Sequence, residues 1–487
     1  MSRVSLRDTE LGADCDDWRF ARASRSKERV GPMNKQQSTE MPTSDVSRHT
    51  RREFVKRTTM AGLGVATAST LGGTLKAYGA GSRASAQTLR AVIPGSAQEL
   101  PIWKQVVAGF KKTHPTVTMD FIFLPQQTWG AFFAGVQTRL IGGEKYDLVN
   151  IPTEGQRLFA SKGVIEPLDA YISHDKSSIA ALLADIDPKV LTEIKQHSSP
   201  DGQTYYLPYG FNTMTMWYYK PLFQAASVPF PANNWTWNDF LHAAERIAKP
   251  SAPAGKQVYA YNFKNGIFAG LDPWLSTNGA SLLNTSWSAP AINSPRAIEA
   301  LQFQRMMVAR KLVPTPGGQF DEPTAMAQGR LAMAGCGWWY LPNFQALHDV
   351  SKFGMAPWPR KTQQGSPVGY GAIAMFKQSQ NKELAWEFIK YMLSTPVQET
   401  FARTAFVGGA QSIRRSVATG PIARAAGPTG YANLYDALEY ATIVEGITQY
   451  NTLETNVDNM YQQILVGNVS PASGLQQLSA SIQPILS

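Results

Sequence analysis

From residue 89 onward the hydrophobic pattern switches repeatedly between a strand-like and a helix-like period. LRAVIP (89–94) is a short β-branched run closed by Pro94-Gly95-Ser96. Ile102, Val106 and Phe110 then recur every four residues, which predicts a helix. VTMDFIFLP (117–125) alternates as a strand does, and Phe132, Val136 and Leu140 mark a second helix that ends near Gly142-Gly143. YDLVNIP (146–152) is a third strand, and a helix through Leu158 and Phe159 runs to Gly163. Strand, helix, strand, helix, strand predicts βαβ units and a mostly parallel sheet.

The rhythm breaks at TYYLPYGFNTMTMWYYK (204–220), a long extended aromatic segment that could leave one sheet and enter another. A helix begins after Thr236, where Thr236 and Asp239 have the spacing of a capping box, and Phe240, Ala244 and Ile247 form its buried stripe. A second α/β set follows: VYAYNF (258–263), a helix over 295–311, and strands at 331–341, 353–359 and 370–377. ELAWEFIKYMLSTPVQETFA (383–402) predicts two helices, the second capped by Thr395 with Pro396 at N1 and Gln398 at N3. SIRRSVATGPIARAAGPTG (412–430) reads as a basic, solvated connection, the C-terminus as helix, and no internal repeat is found. Two α/β lobes joined by crossing strands would enclose a cleft.

The first 86 residues do not join this pattern. TRREFVKR (50–57) resembles a twin-arginine export signal through Arg51, Arg52, Phe54 and Lys56, and such a signal is a receptor-read address. The following run, 58–75, is too rich in Gly, Ala and Thr to hold a bilayer. Ala84-Ser85-Ala86 fits a cleavage site, so residues 1–86 are expected to be a removed leader and signal, with translation expected to start at Met33 or Met41. Removal changes the charge argument. The formal net charge of +10 falls to +4, because 31 basic and 27 acidic residues remain from Gln87 onward. No basic cluster of the kind nucleic acid requires is left. Cys336 is then the sole cysteine, so no intrachain disulfide forms, and no cysteine follows the apolar run to carry a lipid. A soluble periplasmic monomer, not a lipoprotein, is expected.

In an open α/β sheet, ligands bind beyond the carboxyl ends of the strands. Those ends bring Ser96, Gln98, Glu99, Gln126, Gln127, Trp129, Thr153, Glu154 and Gln156 to one edge. The set is amide, carboxylate and aromatic, without Cys or His, so neither a metal nor a cofactor is expected. Asn212, on the crossover strand, can also face the cleft. Aromatic faces cover the C–H surfaces of sugars, while amides and carboxylates satisfy their hydroxyls.

The order of segments resembles the extracellular solute-binding proteins of ABC importers, in the carbohydrate-binding family that includes maltose-binding protein. YDLVNIPTEGQRLFASKGVIEPLDAYI, DGQTYYLPYGFNTMTMWYYKPLF, TAMAQGRLAMAGCGWWYLP and NKELAWEFIKYMLSTPVQ carry the resemblance, with Tyr219-Lys220 where Asn-Lys is usual. It implies a two-lobed periplasmic-binding-protein fold with discontinuous lobes, 87–211 with 369–411 and 212–368 with 412–487. It also implies hinge closure on a sugar and delivery to permease subunits in the membrane, without catalysis. It places Trp338, after the AMAGCG strand, as a stacking residue, with one of the adjacent pair Trp338 and Trp339 turned to the core, and it sets Trp274 along the second lobe's side of the cleft. Rival solutes are a glycerol phosphodiester, a polyamine or an acidic sugar. A polyamine site would want several carboxylates among the aromatics and an anion site would want Arg; the strand ends hold one or two acids and only Arg157 nearby, which favours a neutral polyol. An exported carbohydrate-active enzyme would need a carboxylate pair about 5–10 Å apart, drawn from Glu99, Glu154 and Asp272, and no motif supports one.

Overall fold

The computed structural model describes residues 87–486 apart from 96–98, 254, 319, 348 and 405–408. The arginine pair, the cleavage site, Ser96 and Gln98 therefore lie outside the described residues.

Ten strands form two sheets. In the larger, β1 (Gln87–Pro94) lies parallel to β2 (Val117–Leu124) and β3 (Leu148–Pro152). Every residue of β3 is buried, which is why its sequence is apolar on both faces instead of alternating. The smaller sheet consists of β5 (Thr215–Tyr219) between β6 (Met333–Cys336) and β7 (Phe353–Pro357), all antiparallel. The predicted crossover is β4 (Pro208–Thr213) continuing into β5, with only Met214 between the two sheets. Beside it, β7 leads to β8 (Ser366–Met375), which pairs antiparallel with β3 and β4. The two crossings are tied together where the Met214 N–H donates to Ser366 Oγ at 2.8 Å. Two short strands complete the larger sheet, β9 (Gln411–Ser412) against β4 and β10 (Ala441–Ile443) parallel to the start of β8.

Helices cover these sheets largely where periodicity put them. The helix Leu100–Phe110 buries Trp103, Val106, Val107 and Phe110, so its inward face is turned slightly from the expected Ile102 stripe. Thr236 caps Trp237–Ile247 in a complete capping box with Asp239. Cys336 is a buried residue of β6. Several expectations fail. The strand expected over 331–341 ends at Cys336, before a 3-10 turn at Trp338–Tyr340, and the connection 412–430 forms two short helices, Arg415–Ala418 and Pro421–Ala426, with Val417, Ala418 and Ala423 buried. Residues 258–263 make only isolated bridges, because Tyr259 and Ala260 bond individually to Arg330, Leu312, Ala332 and Met333 instead of laddering. Gln398 does not cap its own helix, Thr395–Thr404. Its buried amide instead donates to the Tyr209 and Met392 carbonyls and accepts from Ser412 Oγ and the Ile413 N–H, joining β4, the preceding helix and β9. Tertiary partners fully occupy a side chain that local rules assign to a cap.

Candidate functional site

The two crossings bring the ends of β3 and the middle of β8 against the C-terminal part of the chain. Thr153, which opens the helix Thr153–Ser161, accepts from the Tyr370 N–H at 2.8 Å and so fixes that helix to β8. The segment after β10 runs alongside: Val444 N–H donates to Val368 O, and a Cβ on Gly446 would collide with the Thr153 carbonyl. The long helix Tyr450–Val466 follows and packs both on Trp129–Ile141 and on Pro295–Ala309. A π-helical turn, Ile267–Leu271, completes the junction, introduced by Gly266 at φ 100°. Such turns widen a helix locally and recur at functional sites.

Carboxylates gather here. Glu154 stands in the first turn of its helix, 3% exposed, and its Oε2 has no hydrogen-bond partner. Burial, with the Glu454 charge adding to it, pushes its carboxyl up to about 7. Asp272 begins the helix Asp272–Thr277, directly after the π turn. Burial first and the facing Glu445 and Glu154 charges second hold Asp272 well above the usual carboxylate range. Glu445, 6% exposed, accepts a long bond from the Leu283 N–H and shares a side-chain hydrogen bond with Asp272, and burial raises its pKa too. Asp458 is pushed up to about 6 by burial and by the Glu454 charge. Glu454 meets a helix end: its Oε2 accepts from the Gly130 N–H at 2.9 Å, at the positive end of the Trp129–Ile141 helix. The rim is aromatic. Trp129 is half-buried and stacks on Phe133, with centroids 6.1 Å apart and planes 13° from parallel. Phe268, on the π turn, lies over Gly369 of β8 and 6.2 Å from the half-buried Trp339 ring. Two surface hollows, one bounded by Leu183, Leu191 and Tyr205 and the other by Glu166, His174 and Trp386, share no residue with this junction.

The arrangement of one sheet's ends, two crossing strands and a C-terminal helix has counterparts among known proteins. The profile of the bacterial extracellular solute-binding proteins matches residues 95–399. This chain belongs to that family. A putative binding protein of Brucella abortus is 24% identical over 402 residues, covering 80% of this chain and 91% of that protein. A solved ABC transporter solute-binding protein of Thermotoga lettingae, bound with α-D-tagatose, superposes with a TM-score of 0.70 at 22% identity, covering 82% of this chain and 100% of that one. A Listeria monocytogenes ABC substrate-binding protein in complex with cycloalternan gives 0.67 at 21% identity, covering 82% and 98%. These structures share the two-lobed α/β fold.

In this solute-binding protein the residues expected to line the cleft divide sharply. Glu154 and Trp129 are at the junction, and Gln127 is exposed just before the Trp129 helix. Three others need correcting. Trp274 is fully buried: Trp237, Phe240, Phe303 and Trp358 approach its ring at 5.3–5.5 Å, so no face is open to a ligand. Trp338 is also fully buried, its Nε1 donating to Phe401 O at 3.3 Å. Its neighbour Trp339 is the ring that remains half open, with Lys264 Nζ 5.7 Å from its centroid, so of the pair it is Trp338 that turns to the core. Asn212 is occupied as a clamp. Its Oδ1 accepts from the Trp338 N–H at 2.8 Å and its Nδ2 donates to Gly409 O at 3.2 Å. Trp235 and Trp237 pack at the helix start as expected, donating to Pro357 O and Thr277 Oγ1.

Sequence reasoning missed Glu445, Glu454 and Asp458, and placed Asp272 only among candidate enzymatic acids. One signal was available. Tyr450, Glu454 and Asp458 recur every four residues, a stripe directly beside the apolar one of Leu453, Val457, Tyr461 and Ile464.

Proposed function

We propose that this protein is the exported ligand-capturing subunit of an ABC importer, that its solute is a carbohydrate, and that it closes on that solute as a monomer and hands it to membrane permease subunits without chemical turnover. The observation that carries the reading is a set of half-open aromatic rings, Trp129 next to the Gly130 that binds Glu454, and Phe268 with Trp339 beside β8, together with the unmet Glu154 oxygen. Rings offer stacking surfaces for sugar C–H faces, and each unmet acceptor is a place for a hydroxyl, since leaving it bare costs about 1–3 kcal/mol. The carbohydrate ligands described for the Thermotoga and Listeria relatives support the same class. The lobe boundaries we assign follow the strands, with Met214 and the start of β8 as hinge points.

The test is a thermal-shift screen of the mature chain against mono- and oligosaccharides. A true ligand at 100 times its Kd adds about 2.7 kcal/mol of stability, which is read as a clear rise in Tm. A flat response to every carbohydrate, with a rise for a non-carbohydrate solute, rejects the reading. Release of reducing ends from any bound glycoside would instead make the carboxylates catalytic.

Export is assigned to Arg51 and Arg52. Among the described residues no helix is long and apolar enough to cross a membrane. Replacing both arginines by lysine is expected to leave unprocessed precursor in the cytoplasm, measured by fractionation and immunoblotting. Undiminished periplasmic protein from the double variant refutes the twin-arginine route.

A further inference from the structure

Asn212 and Gly369 face each other across the β4–β8 ladder, as one rung of an antiparallel pair. Partners on a rung direct their side chains to the same face of the sheet. On that face Gly369 offers no side chain, and Phe268 lies over the gap: a Cβ on Gly369 would sit 3.4 Å from Phe268 Cε2. Asn212 does offer a side chain, and it holds the segment that carries Trp339. Its Oδ1 accepts from the Trp338 N–H at 2.8 Å and its Nδ2 donates to Gly409 O at 3.2 Å. A single rung therefore sets the places of both rings, whose centroids stand 6.2 Å apart.

Two more glycines complete the seat of Trp339. A Cβ on Gly337 would overlap Trp339 Cζ3 and crowd Asn212 Oδ1 at 2.6 Å, and one on Gly409 would overlap Trp339 Cβ. Gly409 also stands at φ 72°, a left-handed conformation that glycine adopts without steric cost. Lys264 flanks the ring: its ammonium, held by Glu322 Oε2 at 3.0 Å and Gly335 O at 2.8 Å, lies 5.7 Å from the Trp339 centroid. Trp339 still remains only half-buried, while Trp338 beside it is fully buried and bonded to Phe401 O. A core indole is held by packing on all sides. An indole fixed at its base and left half open is preorganised, because it loses little rotamer freedom when a ligand stacks on it.

We propose that Asn212 and Gly369 are positioning residues for carbohydrate binding, which set Trp339 and Phe268 as one stacking platform without touching the sugar themselves. Gly337 and Gly409 admit the Trp339 ring to its seat. The proposal rests on the carbohydrate reading above and deepens it. Asn212 then serves the cleft through Trp339, in place of the direct contact expected from the sequence.

The first test needs no sugar. The mature protein is labelled with fluorotryptophan, and the fluorine resonance of Trp339 is assigned by its loss in Trp339→Phe. Asn212→Ala should shift or split that resonance. Asn212→Asp, which keeps the acceptor for the Trp338 N–H, should move it less. A Trp339 resonance unmoved by Asn212→Ala overturns the proposal. The second test is calorimetry with D-glucose, D-tagatose, maltose and maltotriose, together with the carbohydrate that raises Tm most in the thermal-shift screen. Asn212→Ala and Gly369→Val should each weaken binding about fivefold or more, the factor that corresponds to about 1 kcal/mol. Each effect should vanish once the ring it serves is gone. Asn212→Ala should change affinity by less than about twofold in a Trp339→Ala background, and Gly369→Val likewise in Phe268→Ala. A merely structural role would weaken binding by the same factor in both backgrounds, and that result overturns the proposal while the carbohydrate reading stands. Circular dichroism reads the fold; if Asn212→Ala fails to fold, Asn212→Asp and the Gly369→Val cycle decide the matter. Wild-type protein that binds no carbohydrate rejects the carbohydrate reading and the proposal with it.

Discussion

Raising the pH from 5 to 8 should destabilise the ligand-free protein through Glu154, and Glu154→Gln should remove that part of the slope. The folded-state pKa of Glu154 is about 7 against an ordinary 4.5. A raised pKa means that the native state holds the proton more tightly than the unfolded chain. The associated stability is fully present below pH 4.5 and is lost as pH rises through 7. The difference corresponds to about 3 kcal/mol, at 1.36 kcal/mol per pKa unit. Asp458, pushed up to about 6, and Asp272 and Glu445, also raised by burial, act in the same direction. His197 acts in the opposite direction: burial lowers its pKa, so its contribution grows as pH rises through its ordinary 6.5. Asp175, held far below the usual carboxylate range by Lys390, Trp386 and His174, loses its contribution only in stronger acid, outside this window. The difference between wild type and Glu154→Gln isolates the one group from these others. Urea unfolding of both proteins at pH 5 and pH 8 gives the two slopes. Parallel slopes would falsify the assignment of a strained, uncompensated charge to Glu154. A glutamine buried here brings an amide with hydrogen-bonding needs of its own, so the slope, and not the absolute stability, is the readout.

The adjacent tryptophans should separate cleanly into a structural and a binding residue. Trp338→Ala removes a fully buried indole whose Nε1 is bonded to Phe401 O, and truncations of that kind cost about 3–5 kcal/mol. Trp339→Ala removes a half-buried ring at the rim, with Phe268 on one side and Lys264 near its centroid. It should disturb the fold less and weaken carbohydrate binding at least tenfold, as truncation of an aromatic anchor worth about 2 kcal/mol or more does. Urea unfolding without ligand and calorimetry with a ligand found in the screen measure the two effects. Early unfolding of Trp339→Ala together with normal stability and lost binding in Trp338→Ala would invert the assignment.

Much of the architecture was written into local pattern. The periods of LRAVIP, VTMDFIFLP and YDLVNIP correspond to β1, β2 and β3, and the unbroken aromatic stretch 204–220 does contain the passage between sheets at Met214. The Thr236 capping box was legible because both partners lie within four residues of each other. These features depend on neighbours along the chain, so the chain order suffices to read them.

What the sequence did not decide was which side of a tryptophan, or which end of an amide, meets the ligand. Trp274 looked like a cleft residue beside Gly and Pro, but its surroundings are Trp237, Phe240, Phe303 and Trp358, contributed from 37 residues upstream to 84 downstream. Asn212 and Gln398 looked like a ligand contact and a cap, and each is consumed by backbone groups far along the chain. The acidic face was the largest omission, because Glu154, Asp272, Glu445 and Asp458 are individually ordinary and become costly only when folding removes water from all of them at once. Burial and mutual repulsion are properties of the assembled junction, set by distance in space and by the local dielectric, and neither has a signature in residue order.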